Sequence, residues 1–317
     1  MLVAGRVKEW VEHLACHTMI VTSSLSHIDF ISQTIRQITR PGFDRLAQRK
    51  GTAFLAAAVK SILLSYELSK DDIREILTIC SGIEEFIIYS GVRVYGALDL
   101  LPKLRRLRCS IGQFFDIYDP DVVAGLSAQP SLANVTHLEL FLVGLHDEPF
   151  PVWIQALSLP ALTHFATSSH ALILEKYPDL NEAVLDALTD PERPFAIFVV
   201  VDYMMLLQDE SPLKLKLDKK LSAHPGFVHF SHGRGAWATD WSNHTLGGDD
   251  FWSYADEFAR KRRSGELPKD KFELLDPSAI PEAEAEAEAE AEVEAEAEAT
   301  EEDDEDEILV EESDTDL

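Results

Sequence analysis

The sequence predicts an α/β fold: an irregular leucine-rich-repeat-like solenoid with parallel strands, helical ends and a disordered acidic tail. Three features of the 317-residue chain support this prediction. A leucine-spaced phrase recurs along its middle, helix start and stop signals flank the phrases, and acidic residues are concentrated at the C-terminus. Stacked repeats of one strand and one return segment bury a continuous core, which no single repeat could do alone.

The recurring phrase reads small-x-x-apolar-x-x-apolar-x-apolar. It occurs at residues 80–88, 101–109, 133–140, 159–167 and, in a weaker form, 177–185. The central apolar residues of the five copies are Phe86, Leu107, Leu138, Phe165 and Ala183, separated by 21, 31, 27 and 18 residues. We therefore expect these residues to occupy matching positions on neighbouring parallel strands.

Residues 1–44 are predicted to form an N-terminal helical segment. The first helix places apolar residues on one face at helical spacing, namely Val7, Trp10, Val11 and Leu14. The isoleucines 28, 31, 35 and 38 predict a second helix, which Pro41-Gly42 would end.

The solenoid is predicted over residues 45–267. Its first strand is expected within residues 59–64, and Ser69 with Asp72 three residues later predicts a capping box at the start of a helix. Residues 195–202 form a continuous apolar run, which is typical of a buried parallel strand, and residues 226–230 predict another strand. Residues 206–221 predict a helix, although residues 213–217 alternate as an exposed strand would.

The helix predicted at residues 249–263 is expected to close the last repeat. An aspartate caps its start, Gly265 ends it, and its apolar stripe would cover a core that otherwise faces solvent. Its basic end, Arg260, Lys261, Arg262 and Arg263, suits the helix dipole and equally matches a nuclear-import cluster.

Residues 268–317 predict a disordered Glu/Ala-rich acidic tail. Residues 282–317 hold 20 of the 56 acidic residues and no Lys or Arg, so the rest of the chain carries 36 acids against 28 bases. Every Glu in the alternating stretch has another Glu four residues on, which destabilises a helix. We expect the tail either to attract basic proteins or to act only as solvation.

Composition excludes several protein classes. The mildly acidic body argues against nucleic-acid binding, and no apolar run is long enough to span a bilayer. Three cysteines without C-x-x-C spacing, and no signal peptide, predict a reducing compartment, cytoplasmic or nuclear.

The L-P-x-L-x-x-L phrases resemble those of fungal, chiefly basidiomycete, F-box and leucine-rich-repeat proteins, most of them uncharacterised. Residues 28–43 are similar to the segment that links an F-box to the repeats in that set, and residues 247–266 to its closing helix. The resemblance covers residues 28–267 and implies protein recognition, with a Skp1-like adaptor as a partner. Residues 1–25 contain no recognisable F-box.

These observations predict a non-enzymatic protein–protein interaction module that recognises an unknown protein partner through its strand-lined face. The residues expected to project there between apolar positions are Glu84, Arg106, Arg108, His137, Glu139 and His164. A first alternative is an F-box-like substrate-recognition subunit of a ubiquitin ligase.

A second alternative is a metal-dependent hydrolase that uses the cluster of His224, His229 and His232. A surface strand and loop explain these histidines without a metal, because Val228 and Phe230 point to the face opposite His229. No phosphate-binding glycine loop or nucleophile elbow occurs, so we predict neither a catalytic residue, a metal nor a cofactor.

Overall fold

A computed structural model describes residues 2–23, 35–65, 67–141, 150–167, 178–203, 219–232 and 236–275. Its strands, numbered along the chain, are β1 (Thr18–Thr22), β2 (Arg36–Thr39), β3 (Ser61–Leu64), β4 (Glu85–Ile88), β5 (Arg106–Cys109), β6 (His137–Leu140), β7 (His164–Thr167), β8 (Ile197–Tyr203), β9 (Phe227–His232) and β10 (Glu273–Leu275). They form one ten-stranded sheet in the order β10-β9-β8-β7-β6-β5-β4-β3-β1-β2. All pairings among β1 to β9 are parallel, which confirms the predicted α/β class.

The helices are α1 (Leu2–His17), α2 (Arg40–Lys50), α3 (Thr52–Ala58), α4 (Lys70–Ile79), α5 (Pro120–Ala124), α6 (Phe150–Leu157), α7 (Pro178–Thr189), α8 (Lys219–Ala223), α9 (Ala236–Thr245) and α10 (Phe251–Ser264). Helices α1 to α8 all contribute buried residues to one large core on the first face of the sheet. From β4 onward each strand lies beside the strand before it, so the return segments accumulate on that face.

The repeated phrase sets the strand register as predicted. Phe86 pairs with Leu107, Leu107 with Leu138, and Leu138 with Phe165, and all four are fully buried in the first core. The strand predicted at the weak fifth copy of the phrase, residues 177–185, is wrong. Residues 178–189 are helix α7, and the next residue in the row is Phe198, which pairs with Phe165.

The predicted second N-terminal helix is also wrong within the described residues. Ile38 belongs to strand β2, while positions 28 and 31 lie outside the described residues. Strand β1 precedes β2 in the chain, so the strand predicted within residues 59–64 as the first is the third strand, β3. Short apolar segments fit helical and strand spacing almost equally well, which explains the error.

Several local signals act as predicted. Ser69 caps α4 by accepting from the backbone N–H of Asp72, whose side chain accepts in turn from the N–H of Ser69. Asp250 caps α10, and Gly265 ends it in the left-handed conformation. Gly82 is required by close packing, because a Cβ there would stand 1.9 Å from the carbonyl oxygen of Ala56.

The second face of the sheet is also covered. Residues of α10 form a second core with β7, β8 and β9, and Trp241 of α9 forms a third with β1, β3 and β4. The helix predicted to close the repeats therefore lies across a sheet face, and the strands have helices on both sides. The helix predicted at residues 206–221 lies mostly outside the described residues. Of the disordered tail predicted at residues 268–317, the described residues 268–275 contain strand β10, so the prediction of disorder is wrong there; the rest of the tail lies outside the described residues.

Candidate functional site

Six side chains form a charged centre on the second face of the sheet: Glu85, Arg106, Arg108, His137, Glu139 and His164. Successive side chains of a strand point to opposite faces, so residues next to Leu107, Leu138 and Phe165 must face away from the first core. The parallel register then sets Arg106 beside His137 and Arg108 beside Glu139. Five of the six are residues that the sequence predicted.

Glu84 is the sixth predicted residue, and it does not join this centre. It lies one residue before β4, where its carboxylate pairs with Lys60 at 3.1 Å. The neighbouring Glu85 occupies the second face instead, where it accepts a 2.8 Å hydrogen bond from the Ser61 hydroxyl. Because strand side chains alternate between the two faces, the residue next to the buried Phe86 on β4 is Glu85, and the sequence could have indicated Glu85 for this face.

The arginines of the charged centre are paired with carboxylates from the C-terminal helices. Arg106 donates to Asp250 at 2.8 Å. Arg108 donates from both terminal nitrogens to Asp240 at 3.3 Å, and its Nε lies 3.4 Å from Glu139. Such compensation is necessary, because a buried charge without a partner costs several kcal/mol.

Asp250 has two structural roles at once. It caps helix α10 by accepting from the backbone N–H of Ser253 at 2.9 Å, and it binds Arg106. Burial raises the pKa of its carboxyl, but Arg106, His244, Arg108 and the Ser253 N–H together lower that pKa to about 2. The carboxylate therefore stays ionised over the whole physiological range.

Two histidines stack at the edge of the charged centre. The rings of His137 and His164 lie 4.2 Å apart and nearly parallel, and the Trp252 indole meets both edge-on. The Nε2 of His164 is 3.1 Å from a carboxylate oxygen of Asp256. Burial, and then the neighbouring His164 and Arg106, lower the pKa of His137 to about 2, so His137 is neutral.

Sequence reasoning missed the partners of these residues. Asp240, Trp241, Asp250 and Asp256 lie more than 90 residues along the chain from the strand residues they contact. Trp241 donates from its indole nitrogen to Ser61 at 3.1 Å. One signal was available: the unbroken apolar run of β8 is typical of a strand that is covered on both faces.

The predicted metal ligands do not form a cluster in the described residues. The Nδ1 of His224 accepts from the backbone N–H of Gly226 at 3.1 Å, while His229 is buried within β9. The side chain of His232 lies outside the described part of the chain. Within that part, no group of three or more His, Cys, Asp or Glu is placed to hold a metal ion.

The predicted import cluster is largely engaged in structural contacts. Arg262 is buried and donates to the backbone carbonyls of Ser222, His224, Phe227 and Lys269 at 2.6–2.9 Å. Arg260 pairs with Glu257 and Glu266, and Lys261 approaches Glu257. Arg263 donates to the Ala196 carbonyl at 3.2 Å. A receptor for this cluster could reach three of its four residues.

An apolar stripe remains outside all three cores. On α1, Val7, Trp10, Val11 and Leu14 are exposed by 51%, 68%, 52% and 58%. The opposite side of α1 is attached to the body: Glu12 pairs with Lys50 at 2.6 Å, and Cys16 is buried. The stripe therefore faces solvent because its helix is anchored through its other side. We call these four residues the α1 stripe.

No family model, curated protein or solved structure matches this chain. None of the helices in the described ranges is long and apolar enough to cross a membrane.

Proposed function

We propose that the chain is a non-enzymatic protein-recognition module of leucine-rich-repeat-like architecture. Support for the repeat-like architecture comes from four neighbouring parallel strands, β4 to β7. Their central residues, Phe86, Leu107, Leu138 and Phe165, pair in the register that the repeated phrase predicts. The collection of return helices on one face is what stacked repeats produce.

The observation that carries the proposal is the α1 stripe. Its residues follow the spacing i, i+3, i+4, i+7, so they form one continuous ridge along the helix. Isolated exposed apolar residues are normal on proteins, but a contiguous ridge that includes a tryptophan is typical of a docking surface. An amphipathic helix of this kind binds by placing its apolar face into a groove of the partner.

The strand-lined face is a second candidate surface, and it is less accessible. A partner that contacted Arg108 or Glu139 would first have to displace α9 and α10, because both side chains are at least 96% buried. Displacement would also expose Phe251 and Trp252 to water. We therefore favour α1 over the charged centre, and expect alanine at Arg106 to change stability before it changes partner binding.

Photo-crosslinking tests the proposal. A benzoylphenylalanine placed at Trp10, in cells that naturally express the chain, is expected to trap one protein reproducibly. Tyr118 is the matched control position, since it is an exposed aromatic (59%) outside the stripe. With the trapped protein purified, Trp10→Ala with Leu14→Ala should weaken its binding at least about tenfold, as for a tryptophan hot spot, while Tyr118→Ala should not. Equal crosslinking from both positions, or unchanged affinity, would contradict the proposal.

Two alternatives from the sequence stay predictions. An F-box-like ubiquitin-ligase subunit requires a stable complex between the purified chain and a Skp1-like adaptor, which gel filtration would detect. A hydrolase at His224, His229 and His232 requires one bound metal ion per chain, which elemental analysis of the purified protein would measure. A cytoplasmic or nuclear location also remains a prediction, and imaging of the full chain tests it.

A further inference from the structure

A cavity of about 300 Å³ opens among the segments that follow β4 and β5, away from the α1 stripe and the charged centre. Three of its lining residues are aromatic, Tyr95, Phe114 and Phe115, and two are acidic, Asp99 and Asp116. None of its ten lining residues is Lys, Arg or His. The cavity is thus lined by aromatic side chains and carboxylates and by no positively charged residue.

The walls of the cavity are fixed by local structure. Phe114 is almost fully buried, and its ring meets Phe86 edge-on at 5.9 Å, which ties the wall to the first core. Tyr95 is held through its carbonyl, which accepts from Arg74 at 2.7 Å. Asp116 accepts from the backbone N–H of Tyr118 at 3.2 Å. The two sides of the cavity therefore have defined positions before any ligand binds.

The segment after β5 is acidic, whereas the segment after β4 carries three basic residues beside Asp99, namely Arg93, Lys103 and Arg105. Between Cys109 and His137 the sequence contains Asp116, Asp119 and Asp121 but no Lys, Arg or His. Arg74 contacts a lining residue through the backbone carbonyl of Tyr95. Neither lining carboxylate, Asp99 nor Asp116, forms an ion pair with a lysine or arginine among those found in the described residues.

We propose that this cavity binds the alkylammonium end of a lysine side chain, free or methylated, presented by a partner protein. Aromatic faces attract ammonium groups through the negative potential of their π systems, and a carboxylate adds a direct electrostatic attraction. A volume near 300 Å³ is at the small end of ligand sites, which suits one extended side chain and not a cofactor. This site is built from different elements than the α1 stripe, so it does not rest on the function proposed above.

Peptide titrations followed by NMR test the proposal on the full chain. Three peptides of otherwise identical sequence carry lysine, trimethyl-lysine or the neutral isostere norleucine at one position. The two cationic peptides are expected to shift backbone resonances of residues 95–99 and 114–116 saturably, and the norleucine peptide at least about fivefold more weakly. The ratio of the lysine to the trimethyl-lysine affinity identifies which ammonium the cavity prefers.

Variants locate the binding. Asp116→Asn is expected to weaken the cationic peptides about three- to tenfold, and Tyr95→Ala by a similar factor, as a lost cation–π contact implies. Tyr118→Ala is the matched control, because Tyr118 is exposed nearby but does not line the cavity. Unfolding curves of each variant would separate loss of binding from loss of fold. Three results would overturn the proposal: equal affinity for the norleucine peptide, equal loss of binding in Tyr118→Ala, or no saturable shift up to about 10 mM peptide.

Discussion

Arg262 is predicted to be one of the most important single side chains for the stability of the C-terminal part of the body. It is 3% exposed and donates four hydrogen bonds to backbone carbonyls on three segments: the end of α8, the start of β9 and the turn after α10. Burial lowers the pKa of its guanidinium, and the nearby Asp270 opposes that shift in part. The group nevertheless stays charged at neutral pH, because arginine titrates far above it.

The expected loss in the free energy of unfolding depends on which carbonyls can form a new hydrogen bond after Arg262 is replaced. After Arg262→Ala, water can reach the carbonyls of Ser222 and Lys269, whose residues are partly or fully exposed. The carbonyl of Phe227 is buried, and that of His224 partly so. A hydrogen bond to a charged group contributes about 1.5–3 kcal/mol, so two lost bonds cost about 3–6 kcal/mol. Relief of the desolvation of the guanidinium reduces the expected loss to about 2–4 kcal/mol.

Arg263→Ala is the matched control, because it removes the same charge from the next residue. Arg263 is exposed and makes one 3.2 Å bond, so its loss should change the free energy of unfolding by at most about 0.5 kcal/mol. Urea unfolding followed by circular dichroism measures both. Arg262→Ala is also expected to lower Tm by about 4–16 °C, at about 2–4 °C per kcal/mol. If the two variants unfold at the same urea concentration, Arg262 does not link these segments as described.

Three further predictions concern the sheet. His137→Asn should reduce the dependence of stability on pH. Because the pKa of His137 falls to about 2 on folding, the native protein loses stability as pH falls below about 6.5, by up to about 1.4 kcal/mol per pH unit. Urea midpoints at pH 7, 6 and 5 should therefore fall less in the variant than in the unmodified protein. Arg108→Met should destabilise the protein by about 3–5 kcal/mol, because it leaves the carboxylates of Glu139 and Asp240 buried without their cation. Adding Glu139→Gln should recover part of that loss in the same urea assay, and fully additive effects of the two substitutions would contradict the pairing. Gly82→Ala should lower Tm, because the new methyl group would stand 1.9 Å from a backbone carbonyl oxygen. Gly91→Ala is the control and should leave Tm unchanged, because nothing lies within 4 Å of its Cβ position. Equal Tm values for the two variants would refute the close contact.

Much of the sheet could be predicted from local sequence. The leucine-spaced phrase specified four neighbouring strands and their register, because each copy places its central apolar residue in the same core. Helix caps at Ser69 and Asp250 could be predicted because a cap depends on residues three positions apart. The fifth phrase failed because Leu180 and Val184 satisfy a helical stripe as well as a strand pattern.

The cover of the second face could not be predicted by the same means. Asp240 and Asp250 meet Arg108 and Arg106 across 132 and 144 residues, and no local pattern encodes such a separation. The sequence did identify most of the charged centre, since alternation places Arg106 and His137 opposite the core. What alternation leaves open is whether that face meets solvent, a partner or another segment of the same chain.

The distribution of charge explains how α9 and α10 find their places on the sheet. Apolar contacts at both ends of the second face, around Trp241 and around Trp252, are strong but not directional, so they would tolerate a helix shifted along the sheet. The bonds from Arg106 to Asp250 and from Arg108 to Asp240 connect two fixed points on strand β5 to one carboxylate each in α9 and at the start of α10. A shifted helix would leave these charges buried and unpaired. We infer that the charged centre specifies the docking position of the chain's own helices more than it adds net stability. A surface used in this way is not available to a partner, which is why the proposed recognition surface is the α1 stripe, the apolar ridge that the three cores leave exposed.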